Sequence, residues 1–394
     1  MTEKLRVALI GTAFMGRAHS HAWRSAHRFF PLPLEPELAV LVGSDTGRTR
    51  ERADVLGWAE STTDWRAAVA RDDIDVVDIC VPGYLHEEIA LAALAAGKHV
   101  LCEKPLANDV PSAERMTDAA RDAAARGIRS MCGFSYRRTP ALALAKQLID
   151  RGDLGAIRHV RAQYLQDWLA DATVPMSWRL DASLAGSGAL GDIGAHSIDT
   201  AQWLTGERIT AVSATLRTFV DRRPQAAVGG ELGGVADADA PMAPVTVDDA
   251  AAFTAGFSAG ALGVFEATRF ATGRRNANRI EINGELGSIA FDFERLNELE
   301  YFDAREPRET QGFHRVQVTD AVHHYTEHWW PVGHGLGYDH LFTNQVADFV
   351  TAIADGTQPT PSFDEALDVQ RVLAAVSESA ANSSTSTPVN RGTQ

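Results

Sequence analysis

The chain has 394 residues, 45% hydrophobic and 23% charged, with a formal net charge of −15. That length exceeds one ordinary core and suggests two domains. The acidic balance argues against a nucleic-acid or anionic-membrane partner, since both need basic patches, and no apolar run approaches the ~18–20 residues of a membrane helix. Met1-Thr2-Glu3-Lys4 runs straight into an apolar stretch, without the layered layout of a signal peptide. The three cysteines, Cys80, Cys102 and Cys132, end apolar runs and make no C-x-x-C spacing. A cytoplasmic protein without structural disulfides is expected.

Residues 5–10 read as a buried strand. Gly11-Thr12-Ala13-Phe14-Met15-Gly16 follows, then a helix over 17–26. Strand, glycine turn and helix are the setting of a dinucleotide fingerprint. Gly11 permits the tight turn, Gly16 lets helix and strand pack closely, and the free N–H groups of the helix start suit a pyrophosphate. Ala13 takes the middle glycine position. Residues 29–36 hold three prolines and read as a loop. A second strand over 37–42 ends at Gly43-Ser44-Asp45. Asp45 suits a ribose 2′-hydroxyl, Arg48 suits a 2′-phosphate, and Asp45 equally suits the N-cap of a helix over 46–56. NAD and NADP therefore both stay open.

A buried strand over 74–81 stops at Pro82-Gly83. A helix over 85–96, carrying His86, ends at Gly97. Residues 98–102 form another strand, closed abruptly by Glu103-Lys104-Pro105. Ligands of open α/β sheets bind beyond the carboxyl ends of the strands, so Lys104 is expected to point into that crevice. A helix over 111–126 and a strand over 128–132 complete a doubly wound parallel sheet. It ends in Gly133-Phe134-Ser135-Tyr136-Arg137-Arg138.

From residue 139 the pattern changes. A helix over 140–151 precedes a strand over 157–165. A polar, tryptophan-bearing loop follows, with Gln166-Asp167-Trp168 and Ser177-Trp178-Arg179. Gly191-Asp192-Ile193-Gly194-Ala195-His196 opens a helix that runs to about residue 204. Asp192 and His196 share a face if the helix begins by Asp192; otherwise Asp192 is a cap. Strands then dominate: 210–219, 249–258, 262–269, 279–283, 288–293 and 298–302. Several alternate as antiparallel strands with one covered face do. Residues 224–245 read as a long loop and 304–337 as an irregular insertion. Helices are expected over 338–354 and 363–379, and a mobile tail over 381–394. The histidines of 314–340 fit no standard zinc spacing beyond a bare His324/His328 pair, so no metal site is expected.

The glycine turn, Glu103-Lys104-Pro105 and Gly191 to His196 together resemble the glucose–fructose oxidoreductase/inositol dehydrogenase (Gfo/Idh/MocA) family over residues 5–380. The 136–140, 166–168 and 177–179 stretches look most like its bacterial sugar dehydrogenases. The resemblance implies an α/β fold: an N-terminal Rossmann domain (1–138), then an α+β domain (139–380) on a large, mainly antiparallel sheet. That sheet's face often joins dimers or tetramers in the family. The resemblance also implies NAD(P)-dependent oxidation of a secondary hydroxyl on a small polyhydroxylated substrate, a sugar, anhydrosugar or cyclitol. His196 would be the base, Lys104 would polarise the oxygen, and Asp192 would bind a neighbouring hydroxyl or orient His196. The cofactor would meet Gly11, Ala13, Phe14, Met15, Gly16, Ser44, Asp45, Arg48, Pro82, His86, Glu103 and Lys104. The substrate would meet Lys104, Tyr136, Arg137, Asp167, Trp168, Arg179, Asp192, His196 and His340. Gly43, Gly83 and Ser135 depart from the family pattern. Redox-assisted glycoside cleavage and a non-enzymatic nucleotide-sensing regulator are the alternatives.

Overall fold

The computed structural model describes residues 3–225, 236 and 239–391. The chain divides into two compact units. One joins Met1–Arg138 with Gly337–Leu367; the other joins Thr139–Leu336 with Asp368–Gln394. The first unit thus takes in residues 337–367, which the linear division assigns to the second.

In the first unit the chain lays down β1 (Glu3–Ile10), α1 (Phe14–Phe29), β2 (Leu34–Val42), α2 (Thr46–Leu56), β3 (Glu60–Thr62), α3 (Trp65–Val69), β4 (Val76–Ile79), α4 (His86–Ala95), β5 (His99–Cys102), α5 (Val110–Ala124) and β6 (Ser130–Cys132). All strand pairs are parallel, in the order β3-β2-β1-β4-β5-β6. That order reverses between β1 and β4, which creates the crevice where dinucleotides bind. The ends of β1 and β2 and all of β4 and β5 are mostly buried and apolar because helices cover both faces of such a sheet, whereas the edge strand β3 is polar. Helix α1 buries Ala22, Trp23 and Ala26. Strand β2 begins at Leu34, inside the stretch expected to be loop, and includes Pro36. Only Val40–Val42 pairs with β3, so Pro36 lies where β2 has an open edge and its missing N–H costs no ladder bond. β3 and α3 are too short to give a periodic signal.

The second unit opens with α6 (Pro140–Asp150) and β7 (Ile157–Leu165). Two short helical pieces follow, Trp178–Leu180 and α7 (Ala182–Ala185), then a π-turn over Leu190–Gly194 that runs into α8 (Ala195–Thr205). The remaining strands are β8 (Ile209–Arg217), β9 (Arg222–Pro224), β10 (Met242–Pro244), β11 (Ala250–Phe257), β12 (Leu262–Thr268), β13 (Ala277–Gly284), β14 (Gly287–Asp292), β15 (Glu298–Asp303), β16 (His314–Gln317) and β17 (Thr387–Pro388). Eight of them join β7 in one nine-stranded sheet, β16-β15-β14-β13-β7-β12-β11-β8-β17, in which β7 and β12 run parallel and the other neighbours antiparallel. Alternate residues point inward: Val160, Ala162 and Tyr164 on β7, Ala251, Phe253 and Ala255 on β11, Phe265 and Ala267 on β12. Phe253 and Phe265 stack 4.7 Å apart. Each large side chain among them contributes about 1.5–3 kcal/mol on burial, and α8 packs over β7 and β13.

Three expectations need correction here. The 304–337 insertion holds the edge strand β16. The loop expected over 224–245 lies mostly outside the described residues, but its ends pair as β9 and β10. The tail expected to be mobile is fastened as far as residue 391. β17 pairs with β8, the Val389 N–H donates to the Thr210 carbonyl (2.8 Å), and the Arg391 guanidinium meets Asp368 (2.6 Å). Composition alone suggested mobility, whereas the β8 edge supplied partners.

After residue 336 the chain returns to the first unit as α9 (Tyr338–Asp355) and the start of α10 (Phe363–Ala381). α9 packs along α1, setting Phe342, Val346, Phe349 and Val350 into one core with Trp23, Leu9 and Leu101. Among the described residues no helix is long and apolar enough to cross a membrane.

Candidate active site

The dinucleotide turn is built for close approach. Gly11 has φ +123°, and a Cβ there would be driven into the Cys80 carbonyl, on the neighbouring strand segment across the switch point. A Cβ on Gly16 would strike the Gly11 carbonyl. Ala13 occupies the N-cap of α1 without a side-chain hydrogen bond, and the first turn carries no acid. The helix start therefore keeps its N–H groups and its positive end for an anion, which fits the cofactor's pyrophosphate. Phe14 is half exposed and stacks on Tyr338, 5.9 Å between ring centres, and Met15 is partly buried beside it.

At the end of β2, Gly43 has no side chain because a Cβ would collide with the Thr49 hydroxyl. Ser44 and Asp45 are exposed. Asp45 caps α2, accepting the Arg48 N–H at 2.8 Å, and the Arg48 side chain stays exposed 3.7 Å away. Pro82 precedes the turn into α4. His86 is buried with Nε2 2.9 Å from the Val81 carbonyl and Nδ1 3.1 Å from that of Pro105. Its ring nitrogens are thus spent on main chain, so His86 braces the Lys104 turn rather than reaching a cofactor. Burial pushes its pKa down, against those carbonyls.

Glu103 is the first residue beyond β5 and is buried; Lys104 follows, partly exposed. Tyr136 and Arg137 lie in the turn Ser135–Arg138, and both are buried. The Arg137 guanidinium sits 2.6 Å from Glu365. Burial pushes Glu365 up, but Arg137 outweighs it and holds the carboxyl below its usual range. Arg137, expected at the substrate, is engaged in this pair instead. His340 accepts the Gly337 N–H on Nδ1 (3.1 Å), which fixes it at the start of α9.

In the second unit the structure gathers Asp192, Trp168 and Arg179 around one buried guanidinium, Arg269. Asp192 Oδ2 lies 3.6 Å from Arg269 Nη1. Trp168 covers the guanidinium at 5.6 Å, and Arg269 Nη2 donates to the Asp248 carbonyl at 3.2 Å. Arg179 stacks on Trp178 at 4.5 Å. Burial holds its pKa down, Asp192 opposes, and Arg269 adds to the lowering. His196 is buried, its ring 5.9 Å from Tyr164. Because helical geometry begins by Leu190, Asp192 and His196 share a face, settling that alternative.

Two residues set this geometry and escaped the sequence reading. Asp248 accepts the N–H groups of Gly188 (2.7 Å) and Leu190 (2.8 Å), so a distant carboxylate caps the helix. Gly188 leaves the space; a Cβ there would be driven into the Asp248 carbonyl. Arg269 looked like the last residue of a strand. Its signal was a cation directly after the strand-like run 262–268. Asp167 is tied to the next loop, to Arg275 at 3.2 Å and the Gly273 N–H at 3.0 Å, rather than presented to a ligand. Gln166 bridges Trp168 and Asn276, and Asn276 also takes the Tyr164 hydroxyl.

Comparison with known proteins fits this arrangement. Residues 5–128 match the oxidoreductase family with an NAD-binding Rossmann fold, and residues 142–290 match the Gfo/Idh/MocA C-terminal domain. The chain is 44% identical to a levoglucosan dehydrogenase from Pseudarthrobacter phenanthrenivorans over 97% of each. It superposes on an oxidoreductase domain protein from Kribbella flavida with a TM-score of 0.94 at 58% identity, covering 99% of this chain and 100% of that one. A levoglucosan dehydrogenase complexed with NADH and levoglucosan gives 0.91 at 42% identity, with the same coverage. The chain belongs to the Gfo/Idh/MocA oxidoreductases and carries their NAD-binding Rossmann domain.

Proposed function

We propose that the protein is a dehydrogenase that oxidises a secondary hydroxyl of a sugar, anhydrosugar or cyclitol to a ketone, with NAD as acceptor. The observation that carries this reading is the end-to-end similarity, 44% identity over 97% of the chain, to a levoglucosan dehydrogenase. A similar chain binds NADH together with levoglucosan, which favours NAD over NADP and an anhydrosugar within the substrate class.

NAD, when bound, accepts the hydride. His196 takes the hydroxyl proton, a task suited to a near-neutral imidazole. The Lys104 ammonium polarises the same oxygen and stabilises the charge that develops there. Asp192, held by Arg269, binds a neighbouring hydroxyl or orients His196, and Trp168 offers a flat apolar face to the ring. The active form is a homo-oligomer joined through the outer face of the nine-stranded sheet, where Leu262 and Val264 are about half exposed. It works in the cytoplasm.

The test is NADH formation across a panel of sugars, anhydrosugars and inositols, with NAD and NADP in parallel. Turnover of a ring alcohol is expected, and loss of about 10²–10⁴-fold in kcat in Lys104→Ala and His196→Ala. Silence on the whole panel with NADH still binding, or either variant keeping wild-type kcat, refutes the proposal.

A further inference from the structure

Beneath the crevice of the first unit lies a buried ionic cluster that the roles above do not use. His19, three residues past Gly16 on α1, places Nδ1 3.0 and 2.9 Å from the two oxygens of Asp78 on β4. Its Nε2 lies 3.1 Å from Glu103 Oε1, just beyond β5. His19 is 1% exposed, Asp78 0% and Glu103 5%. Trp23 Nε1 donates to Asp78 Oδ2 at 2.6 Å, and the Phe342 ring lies 5.5 Å from the imidazole. A ring whose two nitrogens each face a carboxylate must donate from both, so it carries a proton on each and is a cation. Burial opposes that charge, yet Asp78 and Cys80 outweigh it and hold the pKa well above the usual imidazole value.

The cluster's position gives it a task. Glu103 is bonded covalently to Lys104, and Lys104 is followed by Pro105, whose carbonyl faces His86. The lysine thus follows a residue that one buried histidine grips from α1 and precedes one whose carbonyl faces a second buried histidine on α4. Gly133 leaves the room: a Cβ there would be driven into Glu103 Oε1. We propose that His19 is a positioning residue for Lys104, a buried imidazolium that fastens the end of β5 to the dinucleotide helix through Glu103. This rests on the reading of Lys104 as the group that polarises the substrate oxygen. One side chain then links the helix that takes the pyrophosphate, the strand at the switch point and the turn that carries the lysine, so ammonium and cofactor keep one fixed spacing.

A metal ion is the competing occupant, because His19, Asp78 and Cys80 bring one ligand atom each within 4.8 Å of one another. The symmetric approach of Nδ1 to both Asp78 oxygens at hydrogen-bond length speaks for a proton there, and the raised thiol pKa of Cys80, chiefly from burial, keeps the sulfur a poor ligand.

The test uses the full-length protein. ¹⁵N NMR of the histidines at about pH 8, where an ordinary imidazole is neutral, is expected to show His19 protonated on both nitrogens, with no bound zinc in the purified protein. A neutral tautomer, or one zinc per chain, overturns the proposal. His19→Gln and Glu103→Gln are then compared with Lys104→Ala, well below their unfolding temperatures. Both are expected to lose roughly 10- to 100-fold in kcat, with the NADH affinity of His19→Gln held within about 3-fold and the double variant no worse than His19→Gln alone. A purely structural role would lower Tm and leave kcat of the folded variants alone. That result, or losses that multiply, overturns the proposal. If Lys104→Ala itself keeps its kcat, the underlying assignment of Lys104 has failed instead, which separates the two failures.

Discussion

The pair Arg269–Asp192 supports a prediction whose sign is not obvious. Arg269 is 0% exposed, yet among the described residues its Nε and Nη1 make no hydrogen bond, and Nη2 makes one long bond to the Asp248 carbonyl. Asp192 is 28% exposed, so water still reaches it. The cation carries most of the desolvation cost and the anion little. Removing the cation in Arg269→Met loses one weak bond, about 1 kcal/mol, and relieves a buried charge, while water still reaches Asp192. Removing the anion in Asp192→Asn leaves a dry guanidinium without its counter-charge, beside a second arginine, Arg179. That costs about 3–5 kcal/mol. The double variant is expected near the milder single, a coupling of about 3–5 kcal/mol. Urea unfolding of wild type, both singles and the double closes the cycle. Equal single costs, or costs that add within about 0.5 kcal/mol, would refute the reasoning that burial of Arg269 dominates.

Gly16→Ala should raise the Kd for NADH at least about tenfold, ~1.4 kcal/mol, because the new Cβ meets the Gly11 carbonyl and the turn must open; fluorescence titration with affinity within about twofold would contradict this. His99 is pushed down to about 4, chiefly by burial, and its Nδ1 accepts the Arg129 N–H. Its folded pKa lies below the unfolded ~6.5, so the unfolded chain binds more protons between those values. Stability is therefore lost as pH falls from about 6.5 to about 4, by up to about 3 kcal/mol from this group. Tm measured against pH in wild type and His99→Gln checks it: the variant should fall less steeply over that window, and parallel curves would count against the assignment.

Much of the first unit was legible because parallel strands buried on both faces read as apolar runs, and the glycine turn has one geometry to serve. The helix over 46–56 and the strand over 157–165 came out at their observed limits, the helix because Asp45 caps its start. What stayed hidden depends on partners distant in sequence. Asp248 caps a helix some 60 residues away, and nothing local to either stretch announces it. Arg137 resembles a ligand-binding arginine until Glu365 is placed beside it. His19 sits on an amphipathic helix as an ordinary inward residue, and only Asp78 and Glu103 give it a role. The residue 381–391 segment has the composition of a loose end, but the free edge of β8 binds it.

The late return of α9 to the first unit bears on how the protein is made. Trp23, Leu9 and Leu101 share a core with Phe342, Val346, Phe349 and Val350. On a ribosome, the nucleotide-binding sheet emerges about 200 residues before the helix that completes it. At ~5–20 residues per second it waits roughly 10–40 s with that apolar face uncovered. A nascent or truncated 1–138 fragment is thus a natural client for a chaperone and a poor choice for isolated expression. Joining residues 337–367 to it by a short linker is the shorter route to a stable nucleotide-binding module.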